Sequence, residues 1–240
     1  MNEYKILPCG DTAVTVCFGE EISEKIALKV RFLYDKMLFL LGRGVTDLIP
    51  AYSSLTVCYD PARISYVKIC KTVSRVVSAG KAVAEGKKTV HCIPVCYGGV
   101  FGEDLSAVAE MHGLNEEEVI SLHSGRDYLI YMIGFLPGFP YLGGMDNRIA
   151  TPRLETPRTS IPVGSVGIGG AQTGIYPMAS PGGWRLIGRT PEILYKADRE
   201  PPVLYKPGEY IRFCPVTAAE YQSIAERVAR GEYVHKVTEE

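Results

Sequence analysis

The sequence predicts an α+β fold in two domains, and three features of the chain lead to this prediction. Two amphipathic helices alternate with pairs of short strands in the first third of the chain. Glycine and proline, which fix unusual backbone shapes, are frequent in the block 134–189 and exclude long helices there. A polar, glycine-containing stretch at 81–88 predicts a linker, so the domains are expected at 1–88 and 89–240.

The first domain is predicted as two pairs of strands and two helices. Val14, Val16 and Phe18 alternate with more polar positions, which is the pattern of a half-buried strand. Apolar residues recur at steps of three and four between 22 and 41 and again after residue 61, which predicts two amphipathic helices. This content predicts an α/β sandwich of the ferredoxin-like type. The predicted strands cover 3–7, 12–18, 45–52 and 54–59, and the buried face of the second helix is expected at Ile69, Val73, Val76 and Val77.

The second domain is predicted as many short strands joined by shaped loops, together with three helices. Asn115 and Glu118 have the spacing of a capping box and predict the start of a helix that runs to about His123. Thr217 and Glu220 predict the start of the last helix in the same way. Short strands with frequent turn residues favour a barrel or a sandwich. The other predicted elements are a strand at 89–97, a helix at 104–112 and strands at 127–135, 166–168, 174–176, 184–187 and 210–214.

Composition and charge exclude several classes of protein. The 240 residues are 46% hydrophobic, which is enough for a sizeable core, and 26 basic side chains stand against 27 acidic ones. This balance gives no electrostatic reason to expect a nucleic acid or a membrane surface as partner. The seven cysteines form no regular framework and the N-terminus shows no apolar export segment, so a cytoplasmic protein with reduced thiols is expected.

The sequence shows no motif for nucleotide, metal or serine-nucleophile chemistry. It lacks a Gly-x-x-x-x-Gly-Lys-Ser/Thr loop and a Gly-x-Ser-x-Gly elbow, and the glycines of 164–170 have the wrong spacing for a dinucleotide fingerprint. Cys92 and Cys96 stand near His91, but strand residues four apart lie about 13 Å from each other. No metal site is therefore expected, and the two cysteines are interpreted as small buried apolar residues.

His123 is the candidate catalytic residue. It stands at the end of the helix that Asn115 begins, beside Ser121 and Ser124. A histidine at this place either responds to the dipole of the helix C-terminus or serves as a general acid or base. Both alternatives stay open on these residues alone.

Four residues of the glycine- and proline-rich block are candidates for substrate binding: Arg153, Arg158, Gln172 and Tyr176. Each arginine follows a proline and presents a fixed fork of donors that suits a carboxylate or phosphate; the alternative is two exposed surface arginines. Gln172 and Tyr176 offer neutral hydrogen-bonding groups beside glycine, so the set suits a small acid that carries an amide. All four are expected in loops. Trp184 is interpreted as a core residue.

The same block resembles a known protein family over long motifs that occur in order. These include Gly-Phe-Leu-Pro-Gly-Phe-Pro-Tyr-Leu at 134–142, Gln-Thr-Gly-Ile-Tyr-Pro at 172–177 and Ser-Pro-Gly-Gly-Trp-Arg-Leu-Ile-Gly-Arg-Thr-Pro at 180–191. The chain is similar to the carboxyltransferase-related family that includes the B subunit of bacterial 5-oxoprolinase, the first subunit of allophanate hydrolase and a sporulation inhibitor of a histidine kinase. The resemblance implies a cyclophilin-like β-barrel for 89–240, and Leu-His-Ser at 122–124 matches a family motif.

The resemblance also implies a reaction. It is the ATP-dependent opening of the 5-oxoproline lactam to L-glutamate, with this chain as the 5-oxoprolinase B subunit in a complex that also holds the A and C subunits. ATP with Mg²⁺ would act through the complex, since this chain shows no nucleotide motif. One alternative is a regulatory protein that inhibits a sensor histidine kinase without turnover of its own. A role in urea or allophanate metabolism is ranked last.

Overall fold

The computed structural model describes residues 4–79 and 87–240. The chain divides into two compact units, 1–86 and 87–240, and each has its own cluster of buried apolar side chains. Of the predicted linker, residues 81–86 lie outside the described part. The fold is α+β, as the sequence predicts.

The first unit is a four-stranded antiparallel sheet with two helices. Its elements are β1 (Lys5–Pro8), β2 (Ala13–Cys17), α1 (Glu24–Met37), β3 (Val45–Pro50), β4 (Ser54–Tyr59) and α2 (Tyr66–Ala79). The strands pair in the order β1-β2-β4-β3. Val14 and Val16 of β2 are buried with Leu55 and Val57 of β4, because alternate residues of a strand point to the same face. Together with the inward residues of both helices they form the core of this unit.

The order of elements in the first unit differs from the ferredoxin-like order that the sequence suggested. That order is β-α-β-β-α-β, whereas this unit runs β-β-α-β-β-α. β1 pairs with β2 through a tight turn in which the Cys9 N–H donates to the Ala13 carbonyl at 2.9 Å. The hairpin therefore places β1 at the edge of the sheet beside β2.

The second unit contains most of the strands and three helices. Its elements are β5 (Thr89–Tyr97), α3 (Leu105–His112), α4 (Glu116–Ser124), β6 (Asp127–Ile133), β7 (Pro140–Gly143), β8 (Arg158–Ile161), β9 (Ser165–Gly169), β10 (Gln172–Ile175), β11 (Ser180–Gly182), β12 (Arg185–Arg189), β13 (Tyr210–Pro215), α5 (Ala218–Ala229) and β14 (Lys236–Glu239). The predicted strands of this part are present with shifted ends. The pair β8 and β11 and the strands β7 and β14 come in addition to the prediction.

The large sheet of the second unit is a nearly closed barrel. Its strands follow the order β10-β9-β12-β5-β13-β6-β7, and β14 pairs with β5. The two ends of this order approach each other, because a Cβ atom added to Gly174 of β10 would lie 3.2 Å from the Pro140 carbonyl oxygen of β7. α3 and α4 pack their apolar residues into the same core as the strands. β8 and β11 form a separate two-stranded ladder.

Both predicted capping boxes are confirmed. Asn115 Oδ1 accepts from the Glu118 N–H at 2.8 Å, and the Glu118 carboxylate accepts from the Asn115 N–H at 2.8 Å. Thr217 and Glu220 make the equivalent bonds at 3.2 and 2.7 Å. These bonds satisfy amide groups that the first turn of a helix leaves without partners.

Two further expectations concern cysteines and membranes. Cys92 and Cys96 are buried and free, as the sequence predicts. Within the described residues, no helix has the length and hydropathy required to cross a bilayer.

Candidate functional site

Three glycines leave a bare patch on one face of β9 and β10. Alternate residues of these strands, among them Ile168 and Ile175, point into the barrel core, so Gly167, Gly169 and Gly174 lie on the other face. The indole of Trp184 covers this patch. A Cβ atom on Gly169 would meet the indole Nε1 at 2.4 Å, and one on Gly174 would meet its Cζ3 at 3.1 Å. Only glycine at these positions lets the ring lie against the sheet.

Aromatic rings hold Trp184 in place from the sides. Phe139 lies 5.5 Å from it at an interplanar angle of 75°, and Tyr176 lies 6.2 Å from it at 80°. Edge-to-face contacts of this kind are the favoured arrangement of aromatic pairs. Leu186 and Ile161 complete the buried cluster, which is separate from the barrel core. The indole is therefore a fixed and buried part of this cluster.

Arg153 lies over the same indole. Its Cζ atom is 5.9 Å from the Trp184 ring centroid, which is the range of a cation–π contact. The side chain is exposed. No carboxylate forms an ion pair with it in the part of the chain that the structure describes. Its fork of donors is therefore available to an anion from outside.

Arg158 is held by two acidic residues. Its Nη2 donates to Asp104 at 2.9 Å, and its Nε lies 3.0 Å from the Glu103 carboxylate. Burial lowers the pKa of Arg158, but the bonds and charges of Asp104 and Glu103 outweigh it and raise the pKa. Asp104 also accepts from the Leu186 N–H at 2.6 Å. Asp104 thus ties the start of α3 to β12, and Arg158 joins β8 to this carboxylate. Arg158 is the first residue of β8, contrary to the expected loop position.

Gln172 lies in a strand and not in the loop expected for it, whereas Tyr176 directly follows that strand. Gln172 begins β10 opposite Gly169, so it stands on the face that carries Trp184. Tyr176 is only 2% exposed and belongs to the aromatic cluster, where burial raises the pKa of its phenol. Side chains of β10 alternate between its two faces, and this alternation continues to the next residue. Tyr176 therefore lies on the same face as Gln172 and Gly174, the face that Trp184 covers.

His123 is fully buried in the barrel interior. Its Nε2 lies 2.8 Å from Thr173 Oγ1, and its Nδ1 lies 2.8 Å from Tyr97 Oη. The Thr173 hydroxyl donates to the Gly167 carbonyl at 3.0 Å, so it accepts from the histidine, and Nδ1 then accepts from Tyr97. Burial, together with the charge of Arg126, lowers the pKa of His123 to about 3. The ring is a neutral Nε2–H tautomer.

The structure separates His123 from the other candidates. Thr173, its partner, points into the barrel, whereas the neighbouring Gln172 points to the opposite face of β10. Arg153, Arg158, Gln172 and Tyr176 are gathered around Trp184 on that opposite face. The predicted part of His123 in proton transfer stays a prediction, as do the binding roles of the other four residues.

Sequence reasoning assigned no binding role to Trp184, Asp104 or Phe135. Phe135 has a φ of 67° and is 68% exposed, which is unusual for a bulky side chain. The Leu136 N–H donates to the Gly134 carbonyl at 2.8 Å, so Phe135 stands at the centre of a strained three-residue turn. Its ring lies 5.7 Å from Phe139. The glycines at alternate positions were the available signal for Trp184.

No metal centre is found in this region or in the rest of the described chain. Groups of three or more side chains that could hold a metal ion are absent from the described residues. The donors around Trp184 are a guanidinium, an amide and a phenol, and the guanidinium and amide suit an anionic ligand with a polar amide.

Four matches relate this chain to known proteins. The family described as carboxyltransferase domain, subdomain C and D, matches residues 4–205. A Bacillus subtilis protein, named as the B subunit of 5-oxoprolinase, is 42% identical over 233 residues, which are 93% of this chain and 97% of the relative. The solved structure of TTHA0988 has a TM-score of 0.76 at 36% identity over 86% of this chain, and this chain spans 40% of it. The urea amidolyase of K. lactis, at 20% identity and a TM-score of 0.78 over 99% of this chain, shares the fold; the match covers 16% of that protein.

Proposed function

Because the chain belongs to the carboxyltransferase domain family, subdomain C and D, and is close to a named 5-oxoprolinase component, we propose that it is the B subunit of a heteromeric 5-oxoprolinase. The observation that carries the proposal is the 42% identity to the Bacillus subtilis protein over 93% of this chain. The proposed reaction opens the 5-oxoproline lactam to L-glutamate together with the A and C subunits. ATP with Mg²⁺ is a substrate of the complex.

The chemistry explains why such a reaction uses ATP. An amide carbonyl is a poor electrophile because the nitrogen lone pair is delocalised into it. Transfer of a phosphoryl group from ATP to the amide oxygen releases ADP and gives an imidate phosphate, whose carbon is open to attack by water. The C–N bond then breaks with the nitrogen leaving as the amine, and a second water releases phosphate from the acyl phosphate that remains. The complex as a whole carries out the phosphoryl transfer, and this chain helps to bind 5-oxoproline.

We assign the ligand to the face of the barrel that carries Trp184. 5-Oxoproline is a small ring with one carboxylate and one amide, and the site offers a guanidinium and an amide beside a buried aromatic cluster. Arg153 is assigned to the carboxylate, because Arg158 is already neutralised by Glu103 and Asp104. Gln172 is assigned to the lactam amide. Arg158 and Tyr176 support the site by fixing the elements around it.

His123 has a positioning role in this proposal. All of its ring donors and acceptors are used by Tyr97 and Thr173, and it lies on the inner side of β10. It fixes Thr173 and thereby the register of β10, whose first residue is Gln172. A direct proton transfer to the ligand would require the ring to leave these partners.

Reconstitution from purified components tests the proposal. This chain alone is expected to show no 5-oxoproline-dependent ATP hydrolysis, and the mixture with the A and C subunits is expected to show it. Mixtures that lack this chain, or that lack 5-oxoproline, are the controls. An inert complete mixture, combined with arrest of histidine-kinase autophosphorylation by this chain, would reject the proposal in favour of the regulatory alternative.

A further inference from the structure

A row of four side chains links the C-terminal strand to the barrel. The Glu209 carboxylate lies 2.9 Å from Nε2 of His91, whose Nδ1 lies 2.9 Å from Nε2 of His235. Nδ1 of His235 lies 2.7 Å from the Glu192 carboxylate. The two imidazole rings meet edge to edge, with 18° between their planes and 5.2 Å between their centroids. The exposed fraction is 5% for the His91 side chain, 13% for His235, 2% for Glu192 and 25% for Glu209, so the row is shielded from water except at its Glu209 end.

The hydrogen bonds of this row determine how many protons it holds. Each of the three links needs one proton, because a carboxylate only accepts and two facing nitrogens need one donor and one acceptor. If both carboxylates are ionised and both imidazoles are neutral, the row holds two N–H protons for three links. One link then has no proton, and two lone pairs face each other there. Two doubly protonated imidazoles would place two N–H groups face to face. The row is satisfied when His91 and His235 share one imidazolium.

The surroundings keep the additional proton on the rings. Burial raises the pKa of Glu209, but the bonds from His91 and from the Lys206 N–H outweigh it and lower the pKa. Glu192 accepts a further hydrogen bond from the Tyr233 hydroxyl at 3.0 Å, and burial with this carboxylate raises the pKa of Tyr233. The Glu209 carboxylate is thus held as an anion, and the Glu192 carboxylate faces two donor groups, the Tyr233 hydroxyl and the His235 ring. The other titratable or charged groups that face the row are Tyr205, Lys206, Arg199, Arg227, Cys92 and Cys214.

We infer that His91 and His235 form a proton-sharing clamp that holds β14 on the barrel and loosens on both sides of neutral pH. His235 directly precedes β14, and His91 lies on β5 opposite Val237 of β14. Loss of the shared proton at alkaline pH sets two lone pairs against each other, and a second ring proton in acid sets two N–H groups against each other. Release of β14 uncovers the edge of β5 at 89–92, and an uncovered strand edge can pair with another chain.

Nitrogen-15 NMR of the full chain labelled at histidine counts the ring protons directly. We expect three imidazole N–H resonances from His91 and His235 between about pH 6 and 8, where free histidines lose their charge. His91→Asn and His235→Asn variants assign the resonances by their disappearance. Two resonances in this range, as expected for two neutral rings, would overturn the inference.

Hydrogen exchange of the β14 amides, corrected for the intrinsic rate, tests the loosening. Above neutral pH, opening of β14 releases up to one proton, so its opening equilibrium constant is expected to rise by up to about tenfold per pH unit. The same constant is expected to rise as the pH falls into the acid range. Glu192→Gln keeps the shape of the side chain but cannot balance the imidazolium, and should raise exchange at neutral pH by about tenfold or more.

Glu239→Gln is the matched control for the exchange experiment. It removes a charge from β14 itself, but Glu239 pairs with Lys87 in solvent at 3.1 Å and does not touch the histidines. Exchange in this variant should stay within about twofold of the unchanged chain, because exposed ion pairs contribute little. A flat pH profile in the unchanged chain, or equal exchange in the two variants, contradicts the clamp.

Discussion

Arg153 and Arg158 show how neighbouring side chains decide the use of a residue. Arg158 is paired with Glu103 and Asp104, so its charge is already balanced inside the protein. Arg153 lies on Trp184, and within the described part of the chain no carboxylate balances it. An anionic ligand gains more from Arg153, because no internal ion pair has to be broken. The same residue type therefore has a binding role at one position and a structural role at the other.

Alanine at the two arginines should separate these roles. Arg153→Ala is expected to raise KM for 5-oxoproline in the reconstituted complex by about 10- to 100-fold, since a hydrogen bond to a charged group contributes about 1.5–3 kcal/mol. Its thermal midpoint should not change. Arg158→Ala leaves the largely buried Asp104 carboxylate without its cation and should lower the free energy of unfolding by about 1–3 kcal/mol. Steady-state kinetics measure KM and thermal melts measure stability for each variant. A loss of stability in Arg153→Ala together with a raised KM alone in Arg158→Ala would contradict these two roles.

Gly169 sets the position of the Trp184 ring. Gly169→Ala places a methyl group 2.4 Å from the indole Nε1, so the ring has to move, at a cost of about 1–3 kcal/mol. Fluorescence reports on this ring alone, because Trp184 is the only tryptophan. We expect 5-oxoproline to change the emission of the isolated unchanged chain and not that of the variant. Gly183→Ala is the control, since its nearest contact is 3.6 Å away, and a response equal to that of Gly169→Ala would exclude the indole as the binding surface.

At the scale of elements, His123 joins α4 to β10 and β5. The hydrogen bonds run in one direction, from Tyr97 through His123 and Thr173 to the Gly167 carbonyl. Every donor in this series meets one acceptor, so the neutral ring is the form that the fold selects. The consequence is a dependence of stability on pH.

His123 should make the protein less stable in moderate acid. Its pKa is about 3 in the folded chain and near 6.5 when the chain is unfolded, because burial and then the charge of Arg126 disfavour the imidazolium. Between these values the unfolded state binds more protons, so stability falls as pH falls, by up to about 1.4 kcal/mol per pH unit. Urea unfolding of the unchanged chain and of His123→Gln from pH 4 to 7 measures the difference. Parallel curves for the two proteins would show that His123 is not responsible.

At the scale of the whole molecule, the proposed role requires assembly with other proteins. Phe135 is held in a strained turn and exposes 68% of its surface beside the aromatic cluster. Strain of this kind persists where the structure around it enforces one conformation, and it is frequent at binding surfaces. An exposed and rigid aromatic side chain has the properties of an interface anchor.

Phe135→Ser should weaken capture of the C subunit by tagged chain by about tenfold or more, because a buried aromatic anchor contributes about 2 kcal/mol or more at an interface. The thermal midpoint of the isolated chain should not fall, since the side chain is mainly exposed. Val100→Ser, at a position that is 82% exposed on another loop, is the control. Undiminished capture by the Phe135 variant would show that this turn is not part of the contact.

Patterns that are local in the chain were enough to predict several helix starts, most strands and the family. The helix starts at Asn115 and Thr217 follow from residue types three positions apart, and the strand β2 follows from strict alternation. These signals are readable because both partners of each bond are close along the chain. The motifs of 134–191 led to the family in the same way, as uninterrupted runs.

Contacts between side chains that are distant in the chain became visible only in the folded molecule. The pairings of Arg158 with Asp104, of His123 with Thr173 and of His91 with His235 join residues 54, 50 and 144 positions apart. Strand register sets such contacts, and a shift by one residue turns every side chain of a strand to the other face. Local patterns do not fix that register. For this reason the residues alone could not predict that Gln172 and Trp184 share one face of the sheet. They also could not predict that His123 is buried at the opposite face.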